Sequence, residues 1–227
     1  MTIARSATGP TRTIVIDPTT DEGEIRKLAW IDSNRAVIDR LSGGKVGYIY
    51  LSDFEDLGSQ DFIRQFYPQT DKQALVIDVR GNHGGFTSQW VLDLLLRPRA
   101  GSFVNREGAV TALPGAVAPP ALTVVTDIFS MSDGDQFPYF FRSWGIGKVV
   151  GERTWGGVRG IERSWPLMDG TFVTVPKDSL QDVNGAGIIE NRGAEPDILV
   201  QDSPGDRATG RDPQLETAVE TVMKPRP

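Results

Sequence analysis

Two short glycine-rich turns carry the residues whose types and spacing could do chemistry. Each follows an apolar run and precedes a helical pattern: Arg80-Gly-Asn-His-Gly-Gly-Phe86 and Phe129-Ser-Met-Ser-Asp-Gly-Asp135. In the second, Ser132 stands at a strand-to-helix corner, where its hydroxyl would be exposed while the following backbone N–H groups and the helix dipole face the same point. In the first, Gly84 and Gly85 lack side chains that would keep a carbonyl oxygen from their N–H groups. The combination is that of acyl transfer, with an oxygen nucleophile beside donors that stabilise an oxyanion. The commoner use of such turns is only to reverse the chain, and these pieces alone leave both uses open.

The rest of the inventory narrows the chemistry. His83 is the single histidine among 227 residues, so any scheme that needs an imidazole has one candidate. Cysteine is absent, which removes disulfides, thiolate metal sites and cysteine nucleophiles, and fits a reducing compartment, with the cytoplasm as the expectation. Ser130 competes with Ser132 but reads as the end of a strand. Asp133 and Asp135 look like a metal pair, yet adjacent carboxylates at a helix start more often serve its dipole, and no metal or organic cofactor is expected. The net charge is −6 and the basic residues are scattered, so nucleic acid is not an expected partner. No stretch approaches the roughly 20 apolar residues of a membrane helix, and Met1 to Arg12 holds no run resembling a signal peptide, so a soluble, unexported chain without a membrane partner is expected.

The elements that must position these turns alternate. Apolar residues are 39% and charged residues 24%, the balance of an ordered globule. Strands are predicted at Val46–Leu51, Ala74–Val79, Ala121–Thr126 and Lys148–Val150. Helices are predicted at Glu22–Leu41, Ser59–Tyr67, Thr87–Leu96 and Asp133–Trp144. Such alternation implies crossover units and an α/β core. Asp169-Gly170 between Ser164–Met168 and Thr171–Val175 predicts a two-residue β-hairpin. Asp212-Pro213 caps and starts a last helix whose face carries Leu215, Ala218, Val219, Val222 and Met223. Thr11–Asp17 reads as one strand with no evident partner nearby.

An ordered set of segments resembles the tricorn-type serine peptidases, relatives of the C-terminal-processing peptidases. The segments are Val46-Gly-Tyr-Ile-Tyr50, Val76-Ile-Asp-Val-Arg80 leading into Asn82 to Gln89, Ser132-Asp-Gly-Asp135, Val150-Gly-Glu-Arg-Thr-Trp-Gly-Gly157, Gly187 to Asn191, and Pro196-Asp197. The resemblance implies a crossover-spiral α/β fold of the crotonase/ClpP-like kind over residues 21–227, with residues 1–20 supplying the terminal strand of a PDZ-like domain. It makes Ser132 the nucleophile and the N–H groups of Gly85 and Asp133 the oxyanion hole. It gives Glu190 the task of steadying a hydroxyl that orients a catalytic histidine. It also implies peptide substrates and assembly into homo-oligomers.

Three departures follow from the same comparison. The Ser-Lys relatives carry their lysine base where this chain has Gly157, and a glycine cannot deprotonate a serine, so the Ser-His branch is left. His83 stands where the family has glycine and reads as a tolerated loop substitution, although it lies near the site. The Ser-His pair of that branch belongs to a segment upstream of a PDZ domain, so this chain reads as the C-terminal part of a longer protein with little activity alone. Phe103 falls where an acidic pocket for basic side chains is expected, which weakens a preference for Lys or Arg. Two rivals remain: a crotonase-like acyl-CoA enzyme with an oxyanion hole and no essential serine, and a non-catalytic peptidase-fold binding or scaffold domain.

Overall fold

The structure, a computed structural model, describes residues 1–224, without the side chains of residues 162 and 163. It forms two compact units, Met1–Ser33 and one beginning at Asn34. In the first, strand β1 (Thr2–Ala4) pairs antiparallel with β2 (Thr11–Thr13). The expected lone strand Thr11–Asp17 therefore has a partner nearby and stops at Thr13. A turn closed by Gly9 N–H donating to Ser6 O (3.1 Å) returns the chain on itself. Helix α1 (Gly23–Ser42) contains Ser33, the last residue of the first unit. It ends because Gly43 and Gly44 take positive φ, with Gly44 N–H reaching back to Asp39 O (2.9 Å).

The second unit alternates as the sequence predicts: β3 (Val46–Tyr50), α2 (Asp56–Phe66), β4 (Ala74–Asp78), α3 (Ser88–Leu96), then β5 (Gly101–Val104) and β6 (Val110–Leu113). After these come β7 (Ala121–Thr126), α4 (Asp133–Ser143), β8 (Lys148–Gly151), β9 (Ile161–Pro166), β10 (Phe172–Pro176), β11 (Ile198–Leu199), α5 (Pro204–Ala208) and α6 (Pro213–Met223). Strands β11-β8-β7-β4-β3 form one parallel sheet in that order. Every residue of β4 is buried, which explains its unbroken apolar run. Leu75, Ile77 and Val79 face Phe62 and Phe66 of α2, Val91 and Leu92 of α3, and Phe137 and Phe141 of α4 in one core. The opposite face is covered by α6, whose N-terminus is capped as predicted, Asp212 Oδ1 accepting from Leu215 N–H at 3.0 Å.

A buried polar network fixes the far side of β4. Tyr48 Oη donates to Asp78 Oδ2 (2.9 Å), Arg80 grips both Asp78 oxygens, and the same guanidinium reaches Asp212 Oδ2 (2.9 Å) and Gln214 Oε1 (3.1 Å). Arg80 heads the first glycine-rich turn, so this network anchors that turn to α6.

Two hairpins differ from expectation. The β9–β10 connection is a three-residue loop rather than two, with Leu167 N–H bonding Thr171 O (2.7 Å), Gly170 N–H bonding Leu167 O (3.1 Å) and Gly170 at φ 84. That is a turn followed by a left-handed residue, a common alternative for the same dipeptide. The β5–β6 hairpin was not predicted. All four residues of β5 are exposed, so no alternation of buried and exposed side chains marks it in the sequence.

Candidate active site

The chain leaves β7 through Asp127 to Met131 and enters α4 at Ser132. Ser130 Oγ is buried and donates to Val79 O (2.8 Å), so this hydroxyl ties the corner to β4. Ser132 is the N-cap of α4 with φ 58 and ψ −117, a region that few non-glycine residues adopt. Its side chain makes no capping bond. The corner is held instead by backbone: Met131 N–H to Asn82 O (2.9 Å), Gly134 N–H to Met131 O (2.7 Å), Asp135 N–H to Ser132 O (2.9 Å) and Trp155 N–H to Ser130 O (2.9 Å). A half-buried hydroxyl is thus presented at a strained turn without being spent on the helix.

The first turn meets this corner. Asn82 is fully buried; its amide donates to Leu51 O (2.9 Å) and its Oδ1 accepts from Gly84 N–H (2.8 Å). The Gly84 N–H is therefore occupied, which corrects its expected use as an oxyanion donor. Its contribution is its missing side chain: a methyl group at Gly84 would lie 2.5 Å from Ser132 Cβ and 3.0 Å from Ser132 Oγ. Gly85 has φ 144, and a methyl there would lie 2.2 Å from the carbonyl carbon and oxygen of Phe54. That close approach lets Phe54 N–H bond Gly84 O (2.7 Å) and Phe86 N–H bond Phe54 O (2.8 Å). Among the described residues the N–H groups of Gly85 and Asp133 donate to no protein acceptor.

Carboxylates brace the corner on both sides. Asp133 Oδ2 accepts from Ser88 N–H (3.0 Å) at the start of α3, and burial pushes this carboxyl above its ordinary value, partly offset by that bond. Asp135 is fully buried and takes Thr154 Oγ1, Gly156 N–H (2.7 Å) and Gly157 N–H (3.2 Å); burial pushes it up too. The role of Thr154, which also accepts from Ala194 N–H (2.7 Å), and that of Asn82 were missed in the sequence, where neither stands out from its loop.

The remaining predicted residues spread around these turns. Glu190 Oε2 accepts from Val158 N–H (2.9 Å) and Arg159 N–H (3.1 Å), with Arg159 Nε 3.8 Å from Oε1, so its carboxylate holds the turn after Gly157. Its neighbours Ile189 and Asn191 both have positive φ, at 51 and 58. Asn191 N–H bonds Gly156 O (2.7 Å), which joins the Glu190 loop to the turn gripped by Asp135. Gly157 faces the Trp155 ring, and a side chain there would start 2.5 Å from it. His83 is exposed, and among the described residues only its backbone bonds, to Ser52 O (3.0 Å). Phe103 lies exposed on the β5–β6 hairpin. No group of three or more metal-ligating side chains occurs among the described residues, and no helix among them is long and apolar enough to cross a membrane.

The sequence and the fold have known counterparts. The profile of peptidase family S41 matches residues 45–200. The tricorn protease of Thermoplasma acidophilum is 34% identical over 216 residues, 95% of this chain and 20% of that protein. Tricorn protease homolog 1 of Streptomyces coelicolor is 38% identical over 98% of this chain and 21% of that protein. The crystal structure of the tricorn protease superposes with a TM-score of 0.85 at 34% identity, covering 94% of this chain and 21% of that one. The chain thus spans about a fifth of the length of these relatives.

Proposed function

The chain belongs to peptidase family S41, and from that premise we propose that it carries the nucleophilic half of a tricorn-type serine peptidase that hydrolyses oligopeptides through an acyl-enzyme. One observation carries the reading. The uncapped Ser132 hydroxyl lies against Gly84, where a side chain would collide with it, and the N–H groups on either side, Gly85 and Asp133, have no acceptor among the described residues. A base takes the proton as Ser132 Oγ attacks the peptide carbonyl, the carbonyl oxygen takes the negative charge and the two N–H groups receive it. Collapse of this adduct breaks the C–N bond, and the amine leaves with the proton returned by the base, giving the acyl-enzyme ester. One such donor is worth about 2.7–4 kcal/mol of the barrier. Water then hydrolyses the ester.

The hydroxyl must lose a proton, and no histidine or lysine side chain of the described residues hydrogen-bonds it. The single histidine, His83, is exposed. We therefore assign the base to residues outside these 227, as the greater length of the relatives allows. Membership of a peptidase family decides against the acyl-CoA rival. The scaffold reading keeps one supporting observation, the same unmatched hydroxyl. A fluorophosphonate probe on the full-length protein separates them: labelling lost in Ser132→Ala together with peptide turnover supports the peptidase, and labelling or turnover that survives the substitution overturns it.

Self-association is part of the proposal. Phe103, Val104 and Val110 on β5–β6, and Trp165, Phe172, Val173 and Val175 on β9–β10, are exposed on two-stranded hairpins of a kind that is marginal alone in water. Sedimentation velocity tests it, with Trp165→Lys expected to shift an oligomer toward the monomer and a monomeric parent protein overturning it.

A further inference from the structure

Asp135 stands three residues after Ser132, in the first turn of α4, and is fully buried. A serine at an N-cap usually spends its hydroxyl on the N–H two or three residues ahead. Ser132 does not, so something else must hold a corner whose positive φ disfavours any side chain. In a capping box the residue at this third position reaches back toward the cap. Here the Asp135 carboxylate faces the Ser132 N–H and also reaches across to another loop, accepting from Thr154 Oγ1, Gly156 N–H and Gly157 N–H. Thr154 is itself pinned by Ala194, through Ala194 N–H to Thr154 Oγ1 (2.7 Å) and Thr154 N–H to Ala194 O (3.2 Å). Gly156 O takes Asn191 N–H, beside Glu190.

We propose that Asp135 is a positioning residue for the reaction, its buried carboxylate fixing the Ser132 corner against the 154–157 turn so that the Ser132 hydroxyl stays free of capping. Only a group with acceptors on both oxygens fits these donors. An asparagine would turn an NH2 toward Gly156 or Gly157 N–H, leaving a buried donor unmet. The inference rests on Ser132 being the nucleophile.

The test uses the full-length protein, a peptide substrate, and a fluorophosphonate both as an active-site titrant and for its labelling rate constant. Asp135→Asn is expected to lower kcat per titrated site by roughly 10- to 100-fold, with KM changed less than about threefold, because misplacing a reacting group by about 1 Å has that effect. Labelling should slow in parallel. Thr154→Val should move both in the same direction, and Thr154→Ser should recover most of the loss; this pair carries the test if Asp135→Asn does not fold. A lower melting midpoint with per-site kcat and labelling rate unchanged in Thr154→Val and Asp135→Asn would overturn the positioning role. Ser132→Ala reports separately: turnover surviving in that variant would sink the nucleophile assignment, and the inference with it.

Discussion

Asp133 and Ser88 are joined by a bond that links the two turns of the site: the carboxylate at the first position of α4 accepts the N–H at the first position of α3 (3.0 Å). The cap residue of α3, Thr87, contributes no side-chain cap of its own, since its hydroxyl donates to Phe54 O (2.8 Å). The helix that follows Gly85 is therefore capped by the residue whose N–H stands beside Ser132. Asp133→Ala leaves the buried Ser88 N–H unpaired and should cost about 1–3 kcal/mol, the penalty for a buried donor without a partner. Urea unfolding checks this, and a loss below about 0.5 kcal/mol would show that the cap carries no energy.

The same carboxyl gives a pH dependence with a defined sign. Burial, with a smaller push from Glu55, raises the folded-state value above the ordinary 3.8, against the Ser88 bond. Between the ordinary and the raised value the folded state holds more protons than the unfolded state, so stability falls as pH rises through that window and is level above it. Asp133→Asn keeps an oxygen for Ser88 N–H and does not titrate. The stability of this variant relative to the parent should therefore grow as pH rises from about 3.8 and then flatten, as read from unfolding midpoints at a series of pH values. A relative stability that declines with pH would reverse the assignment.

Gly85 has two independent reasons to be glycine, φ 144 and a Phe54 carbonyl 2.2 Å from where a methyl would sit. Gly85→Ala should destabilise by about 3 kcal/mol or more, combining overpacking with a disfavoured backbone. Any folded fraction should have lost most of its turnover, because relief of the clash moves the free N–H. Per-site kcat, titrated as above, decides; a folded variant with normal turnover would mean that this N–H does not face the oxyanion.

The parts of the molecule legible in the sequence were those in which one local signal coincides with one structural cause. Ala74 to Val79 reads as a buried strand because both faces of β4 are covered, and Asp212-Pro213 reads as a helix start because the cap acts over three residues. Ser132 stood out because its corner is local too. What escaped notice depends on partners far along the chain. Asn82 takes Leu51 and Met131, Thr154 takes Asp135 and Ala194, and nothing in the neighbourhood of either residue encodes such a pairing. Glu190 was visible as a candidate, but the turn it holds, at Val158 and Arg159, was not. The β5–β6 hairpin escaped for the opposite reason, since a strand with no buried face leaves no periodic mark.

His83 decides where the base resides. It precedes Gly84, which touches Ser132, so its position in the sequence invites a catalytic role. The structure leaves its side chain exposed and joins only its backbone to Ser52. A general base needs hydrogen-bond reach to the proton it removes and a partner that fixes its tautomer, and His83 has neither among the described residues. In the full-length protein His83→Gly should therefore keep kcat/KM within about twofold and preserve any acid limb of the pH–rate profile near the ordinary imidazole value of about 6.5. That limb would belong to an imidazole outside these residues. Its disappearance in His83→Gly, with a loss of a hundredfold or more in kcat, would place the base at His83 and make these 227 residues self-sufficient for the proton transfer.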